Sequence, residues 1–479
     1  MAKLCISSQW NDEFLYECAE RGVYEVYGSL RTGAIGSARP AACLPETTLE
    51  HARAHVALAH ELGITFNYIV NAPCIGNMEF DADGRRAIRE YLEMIDGLGV
   101  DMITVAIPYL IEVIKRELPH LQVKTSEIAN INTAQRAQHY VNDLGVDALT
   151  LEIVINRDFR VLRSIRRAVP PDVELEVVVN PACIYQCPYH DYHNNIVGHS
   201  GQESHALRGY YMDYCMMRCI PEHLARPSEL MKARWIRPED LDVYEEIGID
   251  RFKISNRVGP MRLGRACLAA YAGRQCDDLA RLITPLSLNL EEPPGGQLPG
   301  FSEEAWRQMT QVWGIGAPRV SIDNTQLDGF LEYFEQDRCY GQCDAGGCNY
   351  CAEWAEKVVR VDADAVAEYV LMVDQLVAPL LSLGVSSQHK AAAPSDGADL
   401  WTPEMDSLFE QVMEQVPDTF RDIARVAIHS ETERMAQERG ATHVNRDDLV
   451  QAALGATPDL FKPDLIQTLK SLGLSVPTG

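Results

Sequence analysis

Short runs of β-branched and other apolar residues alternate with longer stretches of helical periodicity through the first 260 residues, a spacing that predicts βα units on a parallel sheet. Eight strands are expected, at Lys3 to Ser8, Tyr24 to Ser29, Thr65 to Val70, Asp101 to Ile107, Val123 to Ile128, Ala148 to Ile153, Glu174 to Asn180 and Arg251 to Asn256. Between them, segments such as TTLEHARAHVALAHELG and RRAIREYLEMIDGLG have the helical pattern, each closing on a Gly suited to a left-handed cap. Eight repeats read as an α/β fold of the (β/α)8 TIM-like barrel type. A doubly wound sheet of similar length is the rival, and the count of eight speaks against it.

In a barrel, chemistry gathers where the strands end. Those positions are polar here: Asn71 and Pro73-Cys74 after the third run, Glu127 and Glu152 near the ends of the fifth and sixth, Asn180 to Cys183 at the seventh, and Asn256 and Arg257 at the eighth. Lys253 points inward or outward according to a register that the pattern leaves open. The stretch 181–245 is too long for an ordinary βα loop and is expected to be functional.

The domains expected are a barrel at 1–260 with this cysteine-containing insertion at 181–245, and an extension at 261–384 that holds the Pro/Gly-rich LNLEEPPGGQLPG and a long helix from Ala363 to Leu383. A small, polar, Pro-containing linker at 385–399 leads to a small all-helical domain at 400–479, whose segments offer Thr, Asp or Asn as N-caps.

The chain has 479 residues, 46% of them apolar, which is ample for large cores. Its 43 basic against 69 acidic residues give a net charge of −26, which excludes DNA wrapping but leaves room for RNA in a local basic groove. No apolar run is long enough to span a membrane, and MAKLCISSQWNDEF has neither a basic nor an apolar signal region, so a soluble cytoplasmic protein is expected.

Fourteen cysteines are too dilute for a disulfide scaffold. Six are scattered and read as small buried hydrophobes; eight fall in two groups. The first is Cys183-x3-Cys187 with Cys215-x3-Cys219, four soft ligands that fit a structural zinc or an iron-sulfur cluster. A gap of three is long for a zinc knuckle, and a place at a barrel mouth favours a working cofactor. The second is Cys339-x3-Cys343-x4-Cys348-x2-Cys351 in CYGQCDAGGCNYC, where Gly341, Gly346 and Gly347 let the backbone wrap a compact inorganic core. Cluster, zinc, or ligands shared with the first group stay open there.

His190, His193, His199, His205 and His223 crowd the first group. His190 and His193, nearest to it in sequence, are the first catalytic candidates, as proton donors or tuners of a cluster. His190 stands where the three-cysteine motif of radical S-adenosylmethionine enzymes has its last Cys, which argues against that chemistry. The interleaved Tyr185, Tyr189, Tyr192, Tyr210, Tyr211 and Tyr214 are expected to pack around the site.

With the barrel pattern, the stretches NPACIYQCPYHDYHNN, YCMMRC and ARWIRPEDLDVYEEIGIDRFKISNR resemble the peptidase U32 family over roughly residues 1 to 360. The resemblance implies a [4Fe-4S] cluster on Cys183, Cys187, Cys215 and Cys219, and, as in several members, anaerobic, oxygen-independent hydroxylation of a small molecule or RNA. Some members place a ligand near the N-terminus, where this chain has YGSLRTG and no Cys. The tail from Trp401 resembles the small helical domain of the B subunit of dark-operative protochlorophyllide reductase through Trp-Thr-Pro, Val-Pro-x-x-x-Arg, Ala-Arg and Glu-x-x-Ala-x-x-x-Gly. That implies a cap through which an electron donor or partner protein docks.

The function expected is an iron-sulfur redox enzyme with one cluster or two, zinc being the alternative metal, and with substrate bound by Arg257, Lys253, Glu127 or Glu152. The chain has no HExxH helix and no G-x-S-x-G elbow, which leaves an atypical peptidase as the alternative. A non-enzymatic electron-transfer or docking protein, its acidic charge suiting a basic partner, and a zinc-stabilised binding protein are further readings.

Overall fold

The computed structural model describes residues 2–39, 44–204, 214–256, 261–283, 318–339, 342–343, 346–381, 400–416, 418–457 and 462–476. The chain divides into two compact units, Met1–Gly295 with Ala317–Val366, and Gly296–Gly316 with Ala367–Gly479.

In the first unit all eight expected strands form and close into a barrel in sequence order. They are β1 (Lys3–Ser7), β2 (Glu25–Gly28), β3 (Thr65–Val70), β4 (Met102–Val105), β5 (Gln122–Thr125), β6 (Ala148–Thr150), β7 (Glu174–Val178) and β8 (Arg251–Ile254). Every pairing is parallel, and closure sets Leu4 opposite Phe252 and Cys5 opposite Lys253. Helices α1 (Asp12–Glu20), α2 (Leu49–Glu61), α3 (Ala82–Asp96), α4 (Pro108–Glu117), α5 (Ala134–Asn142) and α6 (Phe159–Ala168) follow the first six strands. Their caps are the ones the sequence offers: Thr48 Oγ1 accepts from His51 N at the start of α2, and Gly63, at φ +75°, turns the chain out of it.

Alternation puts one face of each strand on the helices and the other in the lumen. Leu4, Val26, Phe66, Ile103, Val123, Leu175 and Phe252 belong to the large apolar core. The lumen is charged. Lys124 on β5 donates to Glu25 on β2 (2.7 Å) and to Glu176 on β7 (2.6 Å), contacts between strands that are not neighbours and that only a lumen position allows. Arg251 reaches Glu25 at 2.5 Å, Asn67 donates to Glu25 at 2.9 Å, and Thr150 donates to Glu176 at 2.8 Å. The open register of Lys253 resolves inward: its Nζ stands 3.8 Å from Glu176 and 4.6 Å above the Tyr27 ring.

Seven of the eight strands stop short of the expected ends, β3 excepted, and β5 and β6 do so by the most, three residues each. Apolar residues continue past Thr125 and Thr150, but the chain turns there into 3-10 turns, Glu127–Ala129 and Ile153–Ile155. At the first of these, the Ser126 hydroxyl accepts from Ile128 N at 3.3 Å, a local bond that competes with strand pairing.

The insertion between β7 and β8 folds as α7 (His190–Ser200), α8 (Tyr214–Ala225), α9 (Pro227–Lys232) and α10 (Leu241–Ile247). After β8 and α11 (Met261–Gly273), the strands β9 (Val320–Ile322) and β10 (Val359–Val361) pair antiparallel. The second cysteine group lies between them in sequence, and the helix Tyr350–Val358 that ends it packs on α9.

The second unit contains the helices Pro403–Gln415, Asp418–Glu438, Arg446–Ala456 and Lys462–Ser471 around Phe409, Val412, Leu449 and Leu469. Trp401 stacks on His429 at 4.5 Å and donates its Nε1 hydrogen to Glu433 (3.0 Å). Thr402 and Asn445 cap their helices as the sequence suggests, Asn445 with a capping box to Asp448. The expected linker at 385–399 lies outside the described residues, and no helix among the described residues is long and apolar enough to cross a membrane.

Candidate functional site

The mouth of the barrel carries an acid-base group. The turn capped by Ser126 sets Glu127 over the end of β5, and Ser126 is itself held by Asn71, whose Nδ2 donates to its hydroxyl at 2.8 Å. Glu152, just past β6, accepts from Asn132 Nδ2 at 2.6 Å. His190 opens α7 with its N–H on the Cys187 carbonyl (3.3 Å), and its Nε2 lies 3.1 Å from Glu127 Oε1. Its Nδ1 is 3.5 Å from Asp191.

Burial works against protonation of His190, but the Glu127 hydrogen bond and the charges of Glu127 and Glu152 outweigh it, and its pKa rises to about 9. Burial raises the pKa of Glu152, the Glu127 charge adds to this, and the Asn132 hydrogen bond opposes it. At neutral pH the group is therefore an imidazolium held against one carboxylate and close to a second whose pKa is pushed up. Proton-transfer sites use titratable neighbours tuned apart in this way, as structural ion pairs also do.

The first cysteine loop lies directly against this group. Cys183 and Cys187 follow β7 through a turn in which Gln186 takes φ +55°. Burial raises the pKa of the Cys187 thiol, while the neighbouring backbone N–H groups of Tyr189 and His190 favour the thiolate. Cys215 and Cys219 share one face of α8 at a spacing of four, the first buried and the second half-buried. His223, one turn further along that face, is fully buried beside the Ala182 carbonyl, and burial keeps it neutral with its pKa pushed down to about 4.

A cavity of about 310 Å³ opens among Glu152, Cys183, Tyr185, Cys187, His190 and Arg234. No three sulfurs of either cysteine group lie within 4.8 Å of one another among the described residues.

The sequence-derived candidates separate under this geometry. His190, Glu127 and Glu152 come together with Cys183 and Cys187. His193 sits half-buried on α7, three residues beyond His190. Lys253 belongs to the lumen network below, and Arg257 and His205 lie outside the described residues. Cys339, Cys343, Cys348 and Cys351 form a separate place beside α9. Asn132, Asp191 and Arg234 went unnoticed as site residues. Arg234 was visible only as one letter of ARWIRPED, where nothing in the chain order shows that it faces a cavity 50 residues upstream.

A family model described as Peptidase family U32 matches residues 13–279, and one described as a protein of unknown function (DUF2621) matches residues 394–476. The second match lends the tail's likeness to protochlorophyllide reductase no support. A Methanocaldococcus jannaschii protein described as an uncharacterized protease is 29% identical over 329 residues, which is 68% of this chain and 86% of its own. A solved structure described as a U32 peptidase covers 53% of this chain and 93% of its own at 22% identity, with a TM-score of 0.41. A D-psicose 3-epimerase covers 36% and 72% at 13% identity, with a TM-score of 0.28. At these scores neither structure bears on the chemistry. The family match runs from within α1 to past α11 and takes in the mouth with its histidine and carboxylates and also all four residues of the first cysteine group, and by it the chain belongs to peptidase family U32.

Proposed function

We propose that the barrel mouth is a redox site, with Cys183, Cys187, Cys215 and Cys219 holding a [4Fe-4S] cluster beside an acid-base group that serves oxygen-independent hydroxylation, or a related redox modification, of a small molecule or an RNA base. The observation that carries this reading is the His190–Glu127 pair at 3.1 Å, built on the backbone that leaves Cys187. The spacing of the four cysteines as two x3 pairs, the first pair following β7 at the barrel mouth, supports a cluster as the group they hold. When bound, such a cluster supplies one-electron chemistry.

The protein's own part is proton handling and placement. His190 holds a proton on Nε2 against Glu127, and Glu152 is poised to take up or release one within the same cavity. Asn132 fixes the Glu152 carboxylate. A cavity of about 310 Å³ is at the small end for ligand sites and suits a compact polar molecule or a single base. An electron-donor protein docking on the helical C-terminal unit completes the proposal.

Peptide hydrolysis is the second reading, favoured by the description of the Methanocaldococcus relative as a protease. Against it, neither ring nitrogen of His190 meets a serine, threonine or cysteine side chain among the described residues, so no nucleophile is paired with this base.

The test is anaerobic purification with a visible spectrum and with iron, sulfide and zinc counted per chain. A brown protein that loses about four irons on Cys183→Ser is expected. Iron-free protein carrying zinc, or peptide cleavage that disappears with His190→Gln, would overturn the redox reading.

A further inference from the structure

Two buried cations of the first unit, Arg157 and Arg234, have no salt-bridge partner among the described residues; the Asp240 charge acts on Arg157, but Asp240 is itself paired with Arg237 at 3.8 Å. Arg157 is 2% exposed, and among the described residues its guanidinium donates only to main-chain carbonyls, Met231 O at 2.7 Å and Trp235 O at 2.9 and 3.2 Å. It lies 3.9 Å over the Trp235 ring and 4.9 Å over Phe330. Arg234 is 7% exposed and sits 3.9 Å over the Tyr185 ring. Among the described residues its guanidinium makes no hydrogen bond or ion pair, and its Nε is buried without a partner. The two guanidinium groups are close enough to repel each other. Aromatic faces soften such a placement, but an unpaired buried charge is costly, so an anion belongs nearby.

The groups on hand are Cys339, Cys343, Cys348 and Cys351. The charges of Arg157 and Arg234 act on Cys351, and those of Lys232 and Arg234 act on Cys343. Lys232 is already matched by Glu229 at 2.7 Å. The Tyr333 hydroxyl stands 3.5 Å from Cys348 Sγ, and its ring stacks at 4.0 Å on Tyr350, which stacks at 5.6 Å on Phe330, the ring under Arg157. One aromatic pile thus joins cations to thiols.

Four protonated thiols would leave the +2 of the arginines standing. Four thiolates around a core of charge +2 give −2, which cancels it. We infer that Cys339, Cys343, Cys348 and Cys351 bind one metal centre as a tetrathiolate dianion, with Arg157 and Arg234 as its counter-charges. Zinc and an oxidised iron-sulfur core share this charge and this ligand set. The site is separate from the barrel mouth and does not depend on the redox reading of it. Arg234 stands between the two places, lying 3.9 Å over the Tyr185 ring inside the Cys183–Cys187 loop and lining the cavity there.

The experiment uses the full chain purified anaerobically, with zinc, iron and sulfide counted and native cysteines mapped by iodoacetamide labelling before and after chelation by EDTA and phenanthroline. We expect a metal centre that survives Cys183→Ser/Cys187→Ser and is lost in Cys348→Ser/Cys351→Ser, and at least tenfold slower labelling of the four cysteines before chelation than after. One zinc without colour, or iron with sulfide and a brown absorption, distinguishes the two cores. Arg234→Gln, which leaves every ligand in place, covers the case in which the cysteine variant fails to fold; it should release the metal to a competing chelator about tenfold more readily. Equal labelling before and after chelation, or a metal count unchanged in the Cys348/Cys351 variant, would overturn the assignment. Loss of metal confined to the Cys183/Cys187 variant would do so as well, while leaving the barrel-mouth proposal intact.

Discussion

Lys124→Met cuts the charge network of the barrel lumen at its centre while nearly keeping the volume. The Lys124 side chain is fully buried, and its ammonium is shared by Glu25 at 2.7 Å and Glu176 at 2.6 Å. Glu25 keeps Arg251 at 2.5 Å and Asn67 at 2.9 Å, so most of the loss falls on Glu176, left with the Thr150 hydroxyl at 2.8 Å and Lys253 at 3.8 Å. Breaking a buried pair from one side costs about 3–5 kcal/mol, because the stranded charge keeps its desolvation penalty. At about 2–3 °C per kcal/mol, the transition of the barrel unit should fall by roughly 6–15 °C in calorimetry of the full chain.

The pH dependence gives a second handle on the same variant. Burial raises the Glu176 pKa, but the charges of Lys124 and Lys253 overcome it and hold the group below the ordinary carboxylate range. In the natural protein it therefore adds stability that is present above that range and lost as pH falls through its folded pKa. In the variant, burial is no longer overcome and Glu176 takes up a proton on folding, so the Tm should rise as pH falls from 7 towards 5. Adding Glu176→Gln should recover about 2 kcal/mol or more by removing the stranded carboxylate. A Lys124→Met protein within about 1 kcal/mol of the natural one at pH 7, or with the same sign of pH slope, would show that the lumen network is not the ion-pair system described.

Gly198→Ala should disturb the site from a distance: a Cβ there would stand 2.8 Å from Pro73 Cδ and 3.3 Å from Ala72 Cα, forcing away the helix that His190 opens. A loss of about 1–3 kcal/mol in urea unfolding is expected, and no loss would mean that α7 is free to yield. Glu127→Gln removes the main support of the imidazolium while burial stays, so the His190 pKa should fall from about 9 towards the ordinary histidine value in a histidine NMR titration of metal-free protein. The stability that this pair contributes, fully present below the ordinary histidine pKa and lost as pH rises through about 9, should vanish with it. A His190 that still titrates near 9 would assign its shift to something other than Glu127.

The barrel was legible because its strands are short, apolar and evenly spaced, and those properties survive in one dimension. What stayed hidden depends on pleat and on distance. Glu25, Lys124 and Glu176 look like ordinary solvent-facing positions of alternating strands, and only closure turns that face into a lumen. The register of Lys253 had no anchor for the same reason. The ends of β5 and β6 were overrun because apolar residues continue into turns, and the Ser126 hydroxyl decides the matter at the first of them. His190 and Glu127 could each be singled out from their neighbours in sequence, whereas their pairing joins residues 63 apart and rests on that turn. The cysteine groups announce themselves by spacing; Arg157 and Arg234, which give the second group its charge environment, carry no such signal.

Barrel closure also sets a clock on biosynthesis. Lys3 pairs with Arg251, so the first strand must wait for 248 further residues before its second edge is covered. At about 5–20 residues per second on the ribosome, that wait is roughly 12–50 s. Throughout it β1 presents an unpaired edge, a template for pairing with another nascent chain. Cys183 to Cys219 emerge within this interval, ahead of the strand that completes the platform beneath them. Helpers that shield the open edge, and any carrier of iron for the proposed cluster, would therefore meet the chain in the same window of its synthesis.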